Sequence, residues 1–338
     1  MEYEISIIIP TYNAKDYIFD AVESVKNQTL GFNNIELILV DDNSTDNTKS
    51  IIKKLSGEYD NIKSIFLTEN SGSPSKPRNV GIKESSASYV MFLDNDDTYC
   101  VDFCEKMLNT IQNYAADLVT CRKYDWINGE LLDYKSVLDK KEDFIELKSI
   151  EEDETLLSPN SMFIWDKIYK KDILLENNIE FPIGALYEDV YFNLQYYLNA
   201  NKIIYLNDYY GYNYNIRIDG DNKSTSQDFK KENLEKFYKG LKNIFQLLDE
   251  KNKYFSYFEA EILIGFTKWM ILTDCESDYK LKLFEEFNKY YKRYPLFIRI
   301  VHITLFENII INLGMKFISL SKYNFLILLC FSKFIPFK

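Results

Sequence analysis

The residues with the clearest chemical potential stand in one short stretch, Tyr89–Tyr99, YVMFLDNDDTY. An apolar run from Tyr89 to Leu93 is long enough for one buried strand of a parallel sheet. It ends in three carboxylates among four residues: Asp94, Asp96 and Asp97. Like charges this close repel, so either one carboxyl holds a proton or a cation neutralises the group. All-oxygen ligation suits a hard ion such as Mg²⁺ or Mn²⁺. Such ions commonly bridge phosphates, and open α/β sheets hold their ligands at the carboxyl edge. A metal–diphosphate site at that edge is therefore the working idea. The plainer role is a helix start, with Asp97 or Thr98 capping a helix that begins near Val101. We expect Asp97 to serve that way, which leaves Asp94 and Asp96 unexplained.

The elements that must position these acids precede them. Ile5–Pro10 is a β-branched run stopped by proline, a buried first strand. A helix over about Lys15 to Gln28 follows, with Ile18, Ala21, Val22 and Val25 on one face. Ile35–Val40 is a second strand, ending in the polar turn Asp41-Asp42-Asn43-Ser44, where Ser44 or Asp46 can cap the next helix. Ile62–Leu67 is a third strand. A loop rich in Ser, Gly and Pro then leads to Pro77, which suits the first turn of a short helix over Arg78–Ser85. Strand and helix alternate four times, so the expected fold is α/β, a mostly parallel sheet with helices on both faces.

Beyond the short strand Asp117–Cys121 the pattern loosens. Glu188-Asp189 opens an amphipathic helix, Ile203–Leu206 is a strand, and Tyr209–Arg217 is a second, aromatic strand. From Phe229 onward everything reads as helix. We expect a catalytic domain over 1–220 and a C-terminal all-helical region over 221–338, because 338 residues exceed what one core normally holds.

A formal charge of −12 argues against nucleic acid as a main partner. The cysteines, Cys100, Cys104, Cys121, Cys275 and Cys330, lack metal-ligand spacing and read as free thiols of a reducing compartment. Met1 runs almost directly into a strand, so no signal peptide is expected. No apolar run reaches the ~18 residues of a spanning helix. The expected location is cytoplasmic.

Six segments together carry a resemblance: SIIIPTYN at Ser6–Asn13, LVDDNSTDNT at Leu39–Thr48, SKPRNVGI at Ser75–Ile82, YVMFLDNDD at Tyr89–Asp97, WDKIYK at Trp165–Lys170 and LYEDVYF at Leu186–Phe192. In this order and spacing the sequence resembles a family 2 glycosyltransferase with the GT-A fold, over roughly the first two-thirds of the chain. The resemblance implies transfer of a sugar, with inversion, from a nucleotide-diphospho-sugar donor, a UDP-sugar above all, to a glycan or lipid-linked acceptor in cell-surface polysaccharide synthesis.

Residue by residue, the resemblance implies donor binding by Pro10, Thr11 and Tyr12, with the base stacked on Tyr12, and by Asp42, whose carboxylate can accept from a base N–H or ribose hydroxyls. Arg78 can reach a diphosphate as a forked donor, although a solvated helix-start arginine is as common. Asp94 and Asp96 match the DxD signature: Asp96 as direct metal ligand, Asp94 toward the ribose or the metal's waters, with Mn²⁺ or Mg²⁺ as cofactor. The third ligand stays open, and His302, far down the helical tail, is expected to be structural. Trp165, Lys167 and Glu188 fall on the acceptor side, and Asp189 matches the acid that acts as base. Two acids favoured by a helix dipole are the plainer reading of that pair. Arg217 is assigned to the leaving diphosphate.

LDNDDT also fits the hhhDxDxT pattern of haloacid-dehalogenase phosphatases, but that pattern normally opens a domain, and here three strands precede it. No GxGxxG follows a strand, which argues against a dinucleotide-binding enzyme. A catalytically dead sugar-binding protein with this fold stays open, as does a homo-oligomer. From Phe287 to Lys338 the single acid is Glu307, among eight Lys and Arg residues. This basic, apolar end suits either helices lying at the cytoplasmic face of a membrane or a bundle packed on the catalytic domain.

Overall fold

A computed structural model describes residues 2–127, 129–132, 141–158, 161–216 and 229–293. The first half builds as its apolar runs demand. β1 (Ile5–Thr11) and β2 (Ile35–Asp41) are buried along their whole length. Between them α1 (Ile18–Lys26) buries Ile18, Ala21, Val22 and Val25, the predicted face. α2 (Thr48–Glu58) leads to β3 (Ile62–Phe66), and α3 (Ser75–Glu84) leads to β4 (Tyr89–Phe92). β3, β2, β1 and β4 lie side by side and parallel.

β5 (Thr98–Tyr99), α4 (Phe103–Asn113) and β6 (Leu118–Ile127) follow the acidic turn, and β7 (Glu130–Leu131) pairs with β6. β8 (Phe144–Leu147), β9 (Lys167–Lys170), α5 (Lys171–Glu176), α6 (Glu188–Tyr197) and β10 (Ile203–Ile216) complete this part. The sheet continues from β4 through β9, β6 and β10 to β5. β9 runs antiparallel to both β4 and β6, whereas β10 runs parallel to β6.

The structure differs from the sequence expectation in two places here. The two strands expected at Ile203–Leu206 and Tyr209–Arg217 are one long strand, whose register on β6 shifts twice between Leu206 and Tyr212. The polar interruption is thus absorbed as an irregularity, which bends a strand without ending it. Asp97 does not cap α4 either: that helix begins six residues later, and the intervening Thr98–Tyr99 pairs with β10.

α7 (Lys231–Glu250), α8 (Ser256–Leu272) and α9 (Ser277–Tyr291) form the C-terminal helices. Their apolar faces join the core of the sheet region, so one hydrophobic cluster runs from Ile5 to Tyr291. Phe287 packs on Phe245 and Phe266, while Lys289 and Arg293 pair with Asp249 and Glu259. The start of the basic end therefore lies on the bundle. The rest of that end, 294–338, with His302 and Cys330, lies outside the described residues. Among the described residues no helix is long and apolar enough to cross a membrane.

Candidate active site

The parallel strands β1, β2 and β4 deliver their polar ends to one edge. Asn95 donates to the Pro10 carbonyl at 3.0 Å, which fastens the acidic turn to the end of β1. Pro10 and Thr11 are buried, and Thr11 Oγ1 donates to the Val40 carbonyl at 3.3 Å. Tyr12, next in the chain, is 48% exposed, so its ring face is available to a planar ligand. Asp42 is buried below the Ser71 loop: both its carboxylate oxygens accept from the Ser71 N–H at 3.0 Å, and one also accepts from Ser71 Oγ at 2.9 Å. These bonds bring the Ser- and Gly-rich loop over the end of β2.

α3 packs so closely on β1 that a Cβ at Gly81 would lie 2.4 Å from Ile8 Cγ2. This contact sends Arg78, one turn earlier, into the middle of the site. Its guanidinium is 3% exposed and sits over the Phe181 ring at 5.3 Å. Nη2 donates to Asp94 Oδ1 at 2.8 Å and Nη1 to Asp189 Oδ1 at 2.9 Å, with Glu188 Oε1 at 3.7 Å. Arg78, expected as a forked donor to a diphosphate, thus has its two terminal nitrogens engaged by carboxylates, while its buried Nε–H has no partner among the described residues. Three nearby negative charges outweigh the desolvation that would favour a neutral guanidine, so its pKa is raised.

The same burial pushes Asp189 well above the usual carboxylate range; Arg78 pulls it down, and the charges of Glu188 and Asp94 add to the rise. Glu188 is raised by burial too, again opposed by Arg78. Among the described residues, Oδ2 of Asp189 accepts no hydrogen bond. An acid with one oxygen anchored, the other open and its pKa lifted is suited to accept a proton near neutral pH.

Asp97, in contrast, is buried and fully engaged. Tyr212 donates to its Oδ2 at 2.7 Å, and the Asn215 N–H donates to its Oδ1 at 2.7 Å. Burial, then the charges of Asp96 and Asp94, drives its pKa up well beyond that of an ordinary carboxyl. This corrects the helix-cap expectation: Asp97 anchors β10 to the acidic turn. Asp94 and Asp96 remain partly exposed. No group of three or more His, Cys, Asp or Glu side chains among the described residues is arranged to hold a metal ion. Two carboxylates still fit an ion of the Mg²⁺ or Mn²⁺ kind, which takes one or two protein acids and completes its shell with phosphate oxygens and water.

The acceptor-side expectation needs correction at two positions. Trp165 is buried and stacked between Phe163 at 4.5 Å and Tyr212 at 4.0 Å. Lys167 is fully buried, its ammonium bonded to Asp166 and to the carbonyls of Ser161 and Phe163. Neither presents a free face. Arg217 lies outside the described residues. Beside the stack, a cleft of about 300 Å³ is lined by Phe163, Tyr210, Tyr214, Arg122 and Lys123, among others. Sequence reasoning missed Ser71, Tyr212 and Asn215. Tyr212 and Asn215 fall in the aromatic strand, whose register alone could have pointed to them.

The glycosyl transferase family 2 model matches residues 6–172. A poly(ribitol-phosphate) beta-glucosyltransferase of Bacillus spizizenii is 34% identical over 227 residues, covering 66% of this chain and 34% of that protein. Glycosyltransferase GlyG of Streptococcus pneumoniae is 30% identical over 210 residues, covering 60% of this chain and 68% of that protein. A crystal structure of residues 1-349 of S. aureus TarS with UDP-GlcNAc superposes with a TM-score of 0.58 at 26% identity, over 86% of this chain and 73% of that one. The chain spans about a third of the length of the first curated relatives it matches, 34%, 29% and 37%. The segments that place Tyr12, Asp42, Arg78 and the acidic turn all fall inside the matched region, and on this basis the chain belongs to glycosyl transferase family 2.

Proposed function

We propose that this protein transfers a sugar, with inversion, from a UDP-sugar to a hydroxyl of a polyol-phosphate or related surface glycan. The observation that carries the reading is the single guanidinium of Arg78, which ties Asp94 of the acidic turn to Asp189 at the start of α6. It joins a donor-phosphate side and a proton-accepting side within one side chain's reach.

In this reading Tyr12 stacks on the base and Asp42 accepts from base or ribose. The acceptor oxygen attacks the anomeric carbon, the bond from that carbon to the diphosphate breaks, and the acceptor proton passes to Asp189 Oδ2. The nucleoside diphosphate leaves. Arg78 holds Asp189 in line and favours its ionised form. Asp94 and Asp96 would hold a divalent ion, which when bound supplies positive charge for the leaving diphosphate.

For the acceptor, the cleft sets tyrosine ring faces beside two cations, Lys123, which pairs with Asp125 in the same lining, and Arg122, which donates to Asn207 and Tyr210. Both suit a chain of polyols and phosphates. Relatives named as poly(ribitol-phosphate) transferases support that class. The test is UDP release from UDP-GlcNAc and UDP-glucose with Mn²⁺, with and without poly(ribitol phosphate). Acceptor-dependent release that Asp189→Asn abolishes is expected. No release above the Asp189→Asn blank from any UDP-sugar would refute the reading.

A further inference from the structure

Tyr187, the residue immediately before the Glu188-Asp189 pair, has a left-handed backbone, φ 63° and ψ 29°. For a bulky side chain this conformation is an outlier that costs about 1–2 kcal/mol and persists only where its surroundings impose it. Nothing local imposes it. The side chain makes no capping bond to α6, and the position is neither the Asn nor the Gly that adopts such angles readily.

The surroundings that do impose it belong to the C-terminal helices. The Leu186 N–H donates to the Lys236 carbonyl of α7 at 3.0 Å. Lys239 donates to the Ile183 carbonyl at 2.9 Å. The α7 backbone comes so near that a Cβ at Gly240 would lie 1.8 Å from the Leu186 carbonyl oxygen. The Tyr187 ring packs on Phe237 of α7 with centroids 4.4 Å apart. A Cβ at Gly265 of α8 would stand 3.1 Å from the Tyr187 hydroxyl. Two helices thus hold the backbone at Ile183 and Leu186, just before this tyrosine, and its ring. The Tyr191 N–H donates back to the Tyr187 carbonyl at 3.0 Å, so the gripped residue also forms part of the first turn of α6.

We propose that α7 and α8 act as a positioning clamp for the acidic pair. Gly240 and Tyr187 are positioning residues that set the direction in which Asp189 leaves the chain toward Arg78 and the acceptor. The C-terminal helices are, on this proposal, part of the catalytic unit. The proposal rests on the reading of Asp189 as base, and a displacement of about 1 Å at such a group can cost on the order of 10²-fold in rate.

The test compares Gly240→Ala, Tyr187→Ala and Tyr187→Phe in the full chain, with Gly57→Ala as control, since a Cβ at Gly57 meets nothing within 4 Å. Two readouts are taken. One is UDP release from UDP-GlcNAc with Mn²⁺ and poly(ribitol phosphate). The other is amide hydrogen exchange without substrate. In Gly240→Ala and Tyr187→Ala, exchange over residues 186–191 should rise while β1 and β2 stay protected. Their kcat should fall about 10–100-fold with donor KM within about threefold, because the loss is in orientation. Tyr187→Phe keeps the ring on Phe237 and should retain both properties, as should Gly57→Ala.

If Gly240→Ala fails to fold, Tyr187→Ala carries the test by itself. Wild-type kcat in a variant whose 186–191 exchange has risen overturns the clamp, provided Asp189→Asn is dead in the same assay. Unchanged exchange together with unchanged kcat overturns it as well. An active Asp189→Asn refutes the reading of the base instead, and is recognised without any Gly240 or Tyr187 variant.

Discussion

Arg78 and Asp189, 111 residues apart in sequence, are joined by a 2.9 Å hydrogen bond in which Nη1 donates to Oδ1. The other end of the same guanidinium holds Asp94 at 2.8 Å. The arginine is thus held between the acids, and its charge favours the ionised form of Asp189 where burial opposes it. Arg78→Met should lower transfer by at least about 10²-fold, the size expected for loss of a competent general base. Removing the positive charge raises Asp189 further, so the acid limb of kcat/KM should move to higher pH. A variant with an unshifted profile would contradict this role.

The pH profile of the wild type follows from the same cluster. As the proposed base Asp189 must be ionised to accept a proton, and burial lifts its pKa above the ordinary carboxylate range. Transfer should accordingly rise with pH through that lifted value and be small at about pH 5, where an exposed aspartate of pKa about 3.9 would already be mostly charged. An initial-rate series with UDP-GlcNAc, Mn²⁺ and acceptor across pH 4 to 9 checks it. A flat profile down to pH 5 would remove Asp189 as the titrating group.

Asp189→Asn and Glu188→Gln separate the two adjacent acids. Asp189→Asn should lose about 10²–10⁴-fold in kcat while UDP affinity, measured by calorimetry, is retained. Glu188 stands at 3.7 Å from Arg78 rather than in direct hydrogen bond, and its amide variant should keep much more activity. The reverse pattern would shift the base by one residue.

Asp96→Asn should abolish most of the Mn²⁺- or Mg²⁺-stimulated rate, because an amide is a poor ligand for a hard cation. Its fold should survive, since the residue is only partly buried. Thermal melts with UDP, with and without Mn²⁺, give a second reading: the metal-dependent part of the UDP stabilisation should vanish. Full wild-type activity in excess EDTA would exclude a metal role for this acid.

Gly81→Ala tests the contact that aims Arg78. The added Cβ would meet Ile8 Cγ2 at 2.4 Å and Cγ1 at 3.0 Å, so α3 or the Ile8 side chain must shift. Overpacking of this kind typically costs about 1–3 kcal/mol. Urea melts should show the loss of stability, and transfer should fall in the surviving folded protein because α3 carries Arg78. A wild-type melt would mean that α3 and β1 adjust freely.

The apolar runs at Ile5–Pro10, Ile35–Val40 and Tyr89–Leu93 determine, by themselves, which segments become buried strands and where those strands end. The ends matter because the parallel arrangement places them together, and Asp42, Asp94 and Asp96 stand there in consequence. Strand length, side-chain period and abrupt changes of polarity are local properties, legible within a window of a few residues. The partners of a side chain are set by what the fold brings alongside it, and these the sequence left open. Asp97 reads as a helix cap until the pairing of Thr98–Tyr99 with β10 shows Tyr212 and Asn215 bonded to it. Trp165 and Lys167 read as acceptor-side groups until the fold buries both, Lys167 at the start of β9 between β4 and β6 and Trp165, two residues before that strand, in a stack on Tyr212 of β10. Tyr187 gives no local sign of its left-handed backbone, because the cause lies in Phe237 and Gly240, fifty residues and more downstream. Tertiary packing decides such positions because the free energy of burying an aromatic ring exceeds the one or two kcal/mol, roughly, that its backbone conformation costs.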